Sequence, residues 1–163
     1  MLETAKFRSA SDDQTYLTFE QSLQQAIDYI NEDKEAEYAI MVGSDSLWRP
    51  WHTVFATVFA VHRKGKGARF WYTRSKEKFP RNIPVRLMKE ANDSVEVMRA
   101  IYESELMLMV PEENFSIHID VGNHGESKQV INEIVGFVTG QGFECEYKPN
   151  SACATTCADK CVR

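Results

Sequence analysis

Two aspartates stand at equivalent points of two predicted strands, where they could hold a metal ion between them. Asp45 lies near the carboxyl end of the apolar segment 38–46, and Asp120 lies near the end of the alternating segment 115–121. If the strands are parallel neighbours, both carboxylates project from one edge of the sheet, beyond which ligands bind in such folds. Two close carboxylates repel and need a cation or a shared proton, and hard oxygen ligands favour Mg²⁺ or Mn²⁺. Each aspartate by itself could instead cap a turn.

The predicted long helix that follows Pro84 offers a third carboxylate. Apolar residues recur on this helix at helical spacing and form one stripe centred near Ala91. At about 100° per residue, Glu90 lies at the border of the stripe, whereas Asp93 and Glu96 lie about 160° and about 140° from its centre. A carboxylate that coordinates an ion at the rim of the sheet must lie at the border between the buried stripe and the exposed face of the helix. Glu90 is therefore the preferred candidate, and the other two acids are expected to face solvent.

Asp159, His124 and His118 are weaker candidates for the same site. Asp159 lies about 12 Å along a helix that begins at Ser151, so it can join the site only if this helix begins later or crosses the sheet edge. His124 follows the second aspartate by four residues in a glycine-flanked loop, where it could shuttle a proton, contact a phosphate or simply be exposed. His118 shares the face of Asp120 by the period-two rule and could support it.

Basic residues are concentrated in one segment, although 19 basic and 24 acidic residues give the whole chain a formal charge of −5. Segment 63–89 carries ten basic residues and a single acidic one, Glu77, with aromatic residues between them. Basic side chains neutralise phosphates and aromatic faces stack on bases, so this segment favours nucleic acid as a partner. The alternative is a solvated hairpin whose lysines protect an edge strand. The candidate contact residues are Lys64, Lys66, Arg69, Trp71, Arg74, Lys76 and Lys78.

The elements that must position these residues follow from hydrophobic periodicity and turn residues. Their order predicts an α/β fold with a five-stranded mixed sheet, in which a three-strand antiparallel meander is joined by two parallel strands and flanked by helices, with an extra N-terminal helix. Residues 1–15 are expected to fray, so residues 1–37 would be a tail and helix packed on a domain of residues 38–163. The predicted strands are 38–46, 53–61, 68–73, 115–121 and 143–148, and the predicted helices are 19–32, about 84–104, 126–139 and 151–162.

Length and composition exclude several classes of protein. The 163 residues suffice for one domain, and an apolar fraction of 43% argues against a disordered chain. The sequence has neither a run of 18 apolar residues nor an apolar signal segment, so we expect no membrane association and a cytoplasmic location. Cys153, Cys157 and Cys161 recur every four residues, which favours the packing face of a helix over a soft-metal site.

The combined motifs resemble the bacterial YkuK-type ribonuclease H-like family from about residue 38 to the C-terminus. The matching motifs are VGSDS at 42–46, IHIDVG at 117–122, EIVGFV at 133–138, KP at 148–149 and ADK at 158–160, together with the glycines at 140 and 142. The resemblance implies a ribonuclease H-like fold that binds two divalent cations, Mg²⁺ or Mn²⁺. By position, it implies that Asp45, Glu90, Asp120 and Asp159 hold these ions. One departure is Cys161, at a place where the family often has a histidine.

This reading predicts a divalent-metal-dependent nuclease or a related phosphodiester-cleaving enzyme. Two cations would activate a water and stabilise the leaving oxygen, while the basic segment would hold the rest of the nucleic acid. The alternative is a non-catalytic ribonuclease H-like module that binds nucleic acid, because one fold hosts many functions. A metal-dependent phosphatase acting on small substrates is a third possibility, and it would give the basic segment no role.

Overall fold

The structure, a computed structural model, describes residues 2–121, 128, 130–148, 150–151 and 153–163, apart from the side chains of residues 154 and 155. None of the helices in these ranges has the length and apolar character that a bilayer span requires. The strands are β1 (Phe7–Ser9), β2 (Asp12–Leu17), β3 (Tyr38–Arg49), β4 (His52–Arg63), β5 (Gly67–Glu77), β6 (Phe115–Ile119) and β7 (Cys145–Tyr147). The helices are α1 (Phe19–Asn31), α2 (Ile83–Tyr102), α3 (Leu106–Met109), α4 (Ile131–Gly140) and α5 (Asp159–Val162), with a 3₁₀ turn at Glu112–Asn114 and a π-helical segment at Cys153–Ala158.

The strands form one mixed sheet in the order β2-β1-β5-β4-β3-β6-β7. β3, β4 and β5 form the expected antiparallel meander, and β6 pairs parallel with β3 while β7 pairs parallel with β6. The expectation of five strands is wrong, because β1 and β2 extend the sheet beyond β5. The α/β class and the mixed sheet flanked by helices are as predicted.

The N-terminal segment that was expected to fray is held in the sheet by one aromatic side chain. Phe7 is fully buried, and its ring centroid lies 5.3 Å from that of Phe19 and 6.1 Å from that of Phe59. In the sheet, Phe7 pairs with Thr73 of β5. β2 is exposed along nearly its whole length, so its polar sequence carries no alternating signal. The segment is part of the sheet because β1 pairs with the distant β5 and β2 pairs with β1.

Helices cover both faces of the central strands. β4 is buried along nine consecutive residues, from Thr53 to Val61, as expected for a strand without a solvent-facing side. On one face, α1, α2 and α4 pack on the main core around Ile40 and Val42. On the other face, the C-terminal segment packs on Val58 and its neighbours. Residues of α2 on one face and of the C-terminal segment on the other can therefore approach the same end of the central strands.

A buried chain of hydroxyl groups fixes α2 against the sheet. The Oγ of Ser94 on α2 lies 2.8 Å from the Oγ of Ser44 on β3, and Ser44 in turn donates to Thr57 Oγ1 on β4 at 2.9 Å. All three residues are buried, so each hydroxyl needs these partners. The contact sets the rotation of α2 about its axis, and Glu90 lies one helical turn earlier.

Trp71 is part of the core, so its predicted contact with nucleic acid is wrong. Its side chain is 1% exposed, its ring stacks on Phe59 with centroids 5.1 Å apart, and its Nε1 donates to Gln25 Oε1 at 2.8 Å. The three consecutive aromatic residues of β5 alternate between faces, and Trp71 is the one that points toward α1. Composition alone cannot show which of the three faces inward.

We expect Trp71→Ala to lower the free energy of unfolding by about 3–5 kcal/mol, because it leaves a large cavity in the core and removes the hydrogen bond to Gln25. Trp51→Ala is the matched control, since Trp51 is 87% exposed and its loss should change stability by less than about 0.5 kcal/mol. Urea unfolding followed by circular dichroism measures both values. Equal stability of the two variants would contradict the buried position of Trp71.

Candidate functional site

The pairing of β3 with β6 places the two aspartates side by side. These strands are parallel, and Gly43 pairs with His118. Asp45 and Asp120 each lie two residues further along, so they occupy neighbouring positions on the same face of the sheet. Neighbouring strands are about 4.8 Å apart, which leaves the two carboxylates without room for an intervening side chain. The parallel arrangement that the sequence analysis required is therefore present.

Lys148 occupies the next position after Asp45 and Asp120 along the same end of the sheet. β6 and β7 are parallel, and Ile119 pairs with Tyr147, so Lys148 follows β7 directly beside Asp120. Its Nζ lies 2.7 Å from Asp120 Oδ1, and its backbone N–H donates to Val121 O at 3.2 Å. The ion pair neutralises one carboxylate of the site. Lys148 belongs to one of the motifs that carry the family resemblance, but its sequence position alone gives no sign of this partner.

Glu90 reaches the site from α2, on the opposite face of the sheet. Successive residues of β3 alternate between faces, so Ser46 points toward α2 while Asp45 points away. The Ser46 hydroxyl donates a hydrogen bond to Glu90 Oε1, and Glu90 is 6% exposed. Burial raises the pKa of Glu90 well above its usual range, and the negative charges of Asp45 and Asp120 raise it further. Arg86, one turn earlier on α2, opposes this rise.

Asp45 lies at the electrostatic centre of the acidic group. Burial raises its pKa to about 6, and the negative charges of Asp120 and Asp159 act in the same direction. The Ser46 backbone N–H donates to Asp45 Oδ1 at 2.8 Å and, together with Arg86, lowers this pKa. Asp45 thus interacts with the acid that directly follows β6 and with an acid of the C-terminal helix. A cluster of carboxylates that nearby basic residues compensate only in part is typical of a site that binds a cation.

Asp159 is the first residue of α5, which meets the condition set for it by the sequence analysis. The π-helical segment Cys153–Ala158 precedes it, so the α-helix begins eight residues later than Ser151. Asp159 forms an ion pair with Arg163, whose Nη2 lies 3.0 Å from Asp159 Oδ1. Its charge raises the pKa of Asp45, which indicates that α5 crosses the same end of the sheet. We name Asp45, Glu90, Asp120 and Asp159 the acidic cluster.

His118 holds the C-terminal segment to the sheet. Its Nδ1 accepts a hydrogen bond from the backbone N–H of Cys153 at 3.0 Å, and its Nε2 lies 3.0 Å from Ser116 Oγ. Burial lowers the pKa of His118 to about 4, so the ring is neutral at physiological pH. The residue thus supports the segment that carries Asp159. His124, the other histidine considered for this site, lies outside the described residues.

Asp93 is buried, so the expectation that it faces solvent is wrong. It is 5% exposed, and its Oδ2 lies 2.9 Å from Lys89 Nζ. Lys89 Nζ also lies 3.4 Å from Glu77 Oε1 and 4.7 Å from the centroid of the Phe55 ring. The buried face of α2 is therefore wider than its apolar stripe, because ion pairing lets charged residues extend it.

The predicted nucleic-acid residues divide between opposite ends of the sheet. Arg63 pairs with Tyr38 in the sheet, so the hairpin that follows lies seven residues, or roughly 23 Å, from Asp45 along β3. There, basic side chains form ion pairs with acids at and beyond the end of α1. The pairs are Lys64 with Glu37 at 3.7 Å, Lys66 with Asp33 at 2.8 Å and Arg69 with Glu32 at 3.5 Å.

Arg74, Lys76 and Lys78 lie at the same end of the sheet as the acidic cluster. Arg74 pairs with Ala56, which pairs with Asp45, so Arg74 is two strands or about 10 Å away on the same face. Its Nη2 donates to the backbone oxygen of Val162 at 3.1 Å. All three basic side chains are exposed.

The cysteine stripe packs on the sheet, as the spacing predicts. Cys153 is buried, and Cys157 and Cys161 are half-buried against the small apolar cluster that contains Val58 and Ala60.

Among the residues that the structure describes, no group of three or more histidine, cysteine, aspartate or glutamate side chains is placed so that it could hold a metal ion. The four carboxylates of the acidic cluster match a hard divalent cation in chemistry, but each of Glu90, Asp120 and Asp159 is bonded to another side chain.

We expect Asp45→Asn to stabilise the fold at neutral pH by about 1–2 kcal/mol, with no gain below about pH 4. A carboxyl whose pKa is raised to about 6 binds its proton more tightly in the folded state, so stability is lost as pH rises from about 4 to about 6. Asparagine avoids that loss and can still accept the Ser46 hydrogen bond.

Urea unfolding of wild type and variant at pH 3.5, 5.5 and 7.5 measures this gain. The contribution of His118, which has the opposite sign, cancels because it is common to both proteins. Glu103→Gln, which removes an exposed acid at the end of α2, should change nothing at any of these pH values. An Asp45→Asn protein no more stable than wild type at pH 7.5 would show that the folded state does not raise the pKa of Asp45.

Comparison with known proteins identifies the family of the chain. The family model described as ribonuclease H-like matches residues 21–163, and because the match begins inside α1, this helix is not shown to be an addition to the fold. The curated protein named "Uncharacterized protein YkuK", from Bacillus subtilis (strain 168), is 27% identical over 173 aligned positions that cover 98% of this chain and 98% of that protein. No solved structure matches the chain significantly. The chain therefore belongs to the YkuK-type ribonuclease H-like family.

Proposed function

We propose that the protein is a divalent-metal-dependent nuclease, or a related enzyme that cleaves phosphodiester bonds. The observation that carries the proposal is the acidic cluster, in which four carboxylates come from four separate elements to one end of the sheet. Burial raises the pKa of Asp45 and of Glu90, repulsion within the cluster raises it further, and a bound cation would relieve that repulsion. Membership of the ribonuclease H-like family supports the same reaction class.

Asp45, Glu90, Asp120 and Asp159 are the residues that would hold Mg²⁺ or Mn²⁺, with two ions expected. When bound, such ions supply an activated water and stabilisation of the leaving oxygen. Ser46 would orient Glu90 through the hydrogen bond that it donates now. Lys148 would neutralise Asp120 before a ligand arrives, or contact the substrate phosphate afterwards. The role of His124 as a proton shuttle or phosphate contact stays a prediction.

Nucleic acid is the proposed substrate because exposed basic residues accompany the acidic cluster. Arg74, Lys76 and Lys78 would neutralise phosphates next to the scissile bond. The three basic residues near the β4–β5 hairpin are poor candidates, because they lie roughly 23 Å away and face acidic partners. We therefore restrict the proposed nucleic-acid interface to the acidic end of the sheet.

The second candidate is a ribonuclease H-like module that binds nucleic acid without cleaving it. The observation in its favour is that the acidic cluster has alternative partners: Asp120 pairs with Lys148 and Asp159 pairs with Arg163. Side chains held in this way form no metal-binding group among the described residues. The two candidates differ in whether a divalent cation can displace these partners.

We expect the wild-type protein to cleave at least one labelled substrate in 5 mM Mn²⁺ and none in excess chelator. The substrates are single-stranded RNA, single-stranded DNA, duplex DNA and an RNA–DNA hybrid. Asp45→Asn and Glu90→Gln should each lower the rate about 100-fold or more, a loss of about 3 kcal/mol of transition-state stabilisation. Mn²⁺ should raise the melting temperature of the wild type but not of Asp45→Asn, because it neutralises the same crowded charge.

Glu103→Gln is the matched control, since Glu103 lies on the end of α2 about 20 Å from Glu90 along the helix axis. It should cleave and bind Mn²⁺ as the wild type does. Cleavage that persists in Asp45→Asn would exclude the acidic cluster as the catalytic centre. Nucleic-acid binding by the wild type with neither cleavage nor a Mn²⁺-dependent rise in melting temperature would favour the non-catalytic module.

A further inference from the structure

A cleft of about 680 Å³ lies beside β5, and the residues around it suggest a ligand. In the described part of the chain, β1 pairs with β5 only at Trp71, Tyr72 and Thr73, so the edge of β5 is open from Arg74 onward. The cleft follows this open edge. The N-terminal strands bound it on one side and α2 bounds it on the other.

The cleft carries an excess of positive charge. Lys6, Arg8, Arg74 and Lys76 line it, and none of the four forms an ion pair with a carboxylate in the part of the chain that the structure describes. A fifth cation, Lys89, is already neutralised by Asp93 and Glu77. The remaining cations favour an anionic ligand with several charges spaced along the cleft.

Tyr16 adds an aromatic surface to these cations. It is 56% exposed, although most large apolar side chains of the protein are buried. The Arg8 guanidinium carbon lies 4.4 Å from the centroid of the Tyr16 ring and the Lys6 Nζ lies 5.2 Å from it, while Arg8 also donates a hydrogen bond to the Tyr16 hydroxyl. Cations beside an exposed ring match a polyanion that also has flat faces to stack, which describes nucleic acid. The bases of a duplex already stack on one another, so only unpaired bases can use the ring.

The cleft also lies at the same end of the sheet as the acidic cluster. Arg74 is in register with Asp45, two strands away on the same face of the sheet. Because Phe7 pairs with Thr73, Lys6 lies beside Arg74 on the next strand, about 14 Å from Asp45. At the 3.4 Å rise per nucleotide of a stacked strand, this distance corresponds to about four phosphates.

We propose that this cleft binds a single-stranded polynucleotide segment, with an unpaired base stacked on Tyr16 and phosphates paired with Lys6, Arg8 and Lys76. The inference rests on the proposed function, because it assigns the substrate strand that leads to the acidic cluster. It also gives a role to β1 and β2, which the reaction itself does not use.

The test is fluorescence anisotropy with labelled 20-nucleotide single strands of DNA and RNA and a 20-base-pair duplex, in chelator so that no cleavage occurs. The matched variants are Lys6→Gln/Lys76→Gln in the cleft and Lys64→Gln/Lys66→Gln at the far end of the sheet, which remove the same charge. The cleft variant should bind single strands about 20-fold more weakly at 100 mM salt, with a salt slope lower by about 1.4. The far variant should bind within about twofold of the wild type.

Tyr16→Leu should weaken single-strand binding about tenfold, and Tyr16→Phe should restore it because the ring is kept. Circular dichroism establishes that each variant is folded. Tighter binding of the duplex than of the single strand, equal losses in the two double variants, or no binding by the wild type would each overturn the proposal. Equal affinity for a polyglutamate peptide would also overturn it and assign the cleft to an acidic protein partner.

The inference and the proposed nuclease can fail separately. Binding that depends on Tyr16 and Lys6, without any Mn²⁺-dependent cleavage, would support the cleft and contradict the nuclease. Cleavage that depends on Asp45, with binding unchanged in the cleft variant, would support the nuclease and contradict the cleft.

Discussion

The parallel pairing of β3 with β6 is the constraint on which the site depends. It brings Asp45 and Asp120 to neighbouring positions on one face, and the same register continues through β7 to Lys148. In the other direction it continues through β4 to Arg74. A shift of one residue between the central strands would turn a carboxylate to the opposite face, so the register must be set elsewhere. The register is set by the apolar side chains of β3 and β4, which pack against helices on both faces of the sheet.

Burial of carboxylates, together with repulsion between them, destabilises the fold locally at the site, and interactions elsewhere in the fold compensate for this loss. Glu90 is buried next to two aspartates, and its only hydrogen-bond donor in the described residues is Ser46. The buried hydroxyl chain from Ser94 to Thr57 and the aromatic group around Phe59 hold α2 and β4 in place despite this repulsion. Sites that bind charged ligands commonly sacrifice stability in this way.

The sequence predicts the elements whose signals are local. α1 begins at Phe19, as the predicted range 19–32 has it, and Thr18 and Gln21 cap it with reciprocal hydrogen bonds. The position of Glu90 at the border of an apolar stripe also follows from helical period. The strand character of residues 7–17, the inward direction of Trp71 and the ion pairing that buries Asp93 all depend on contacts distant in sequence, which periodicity does not contain. The separation of the basic residues into two groups became clear only from the β4–β5 register.

Three members of the acidic cluster belong to, or directly follow, the buried elements β3, α2 and β6, whereas Asp159 lies on a four-residue helix. The hydrogen bond from Cys153 to His118 and that from Arg74 to Val162 join this segment to the sheet, together with a small apolar contact. Short segments with few buried contacts open at a lower free energy than the core does. The placement of Asp159 beside the other carboxylates is then an equilibrium separate from folding, and it can shift without any change in the sheet.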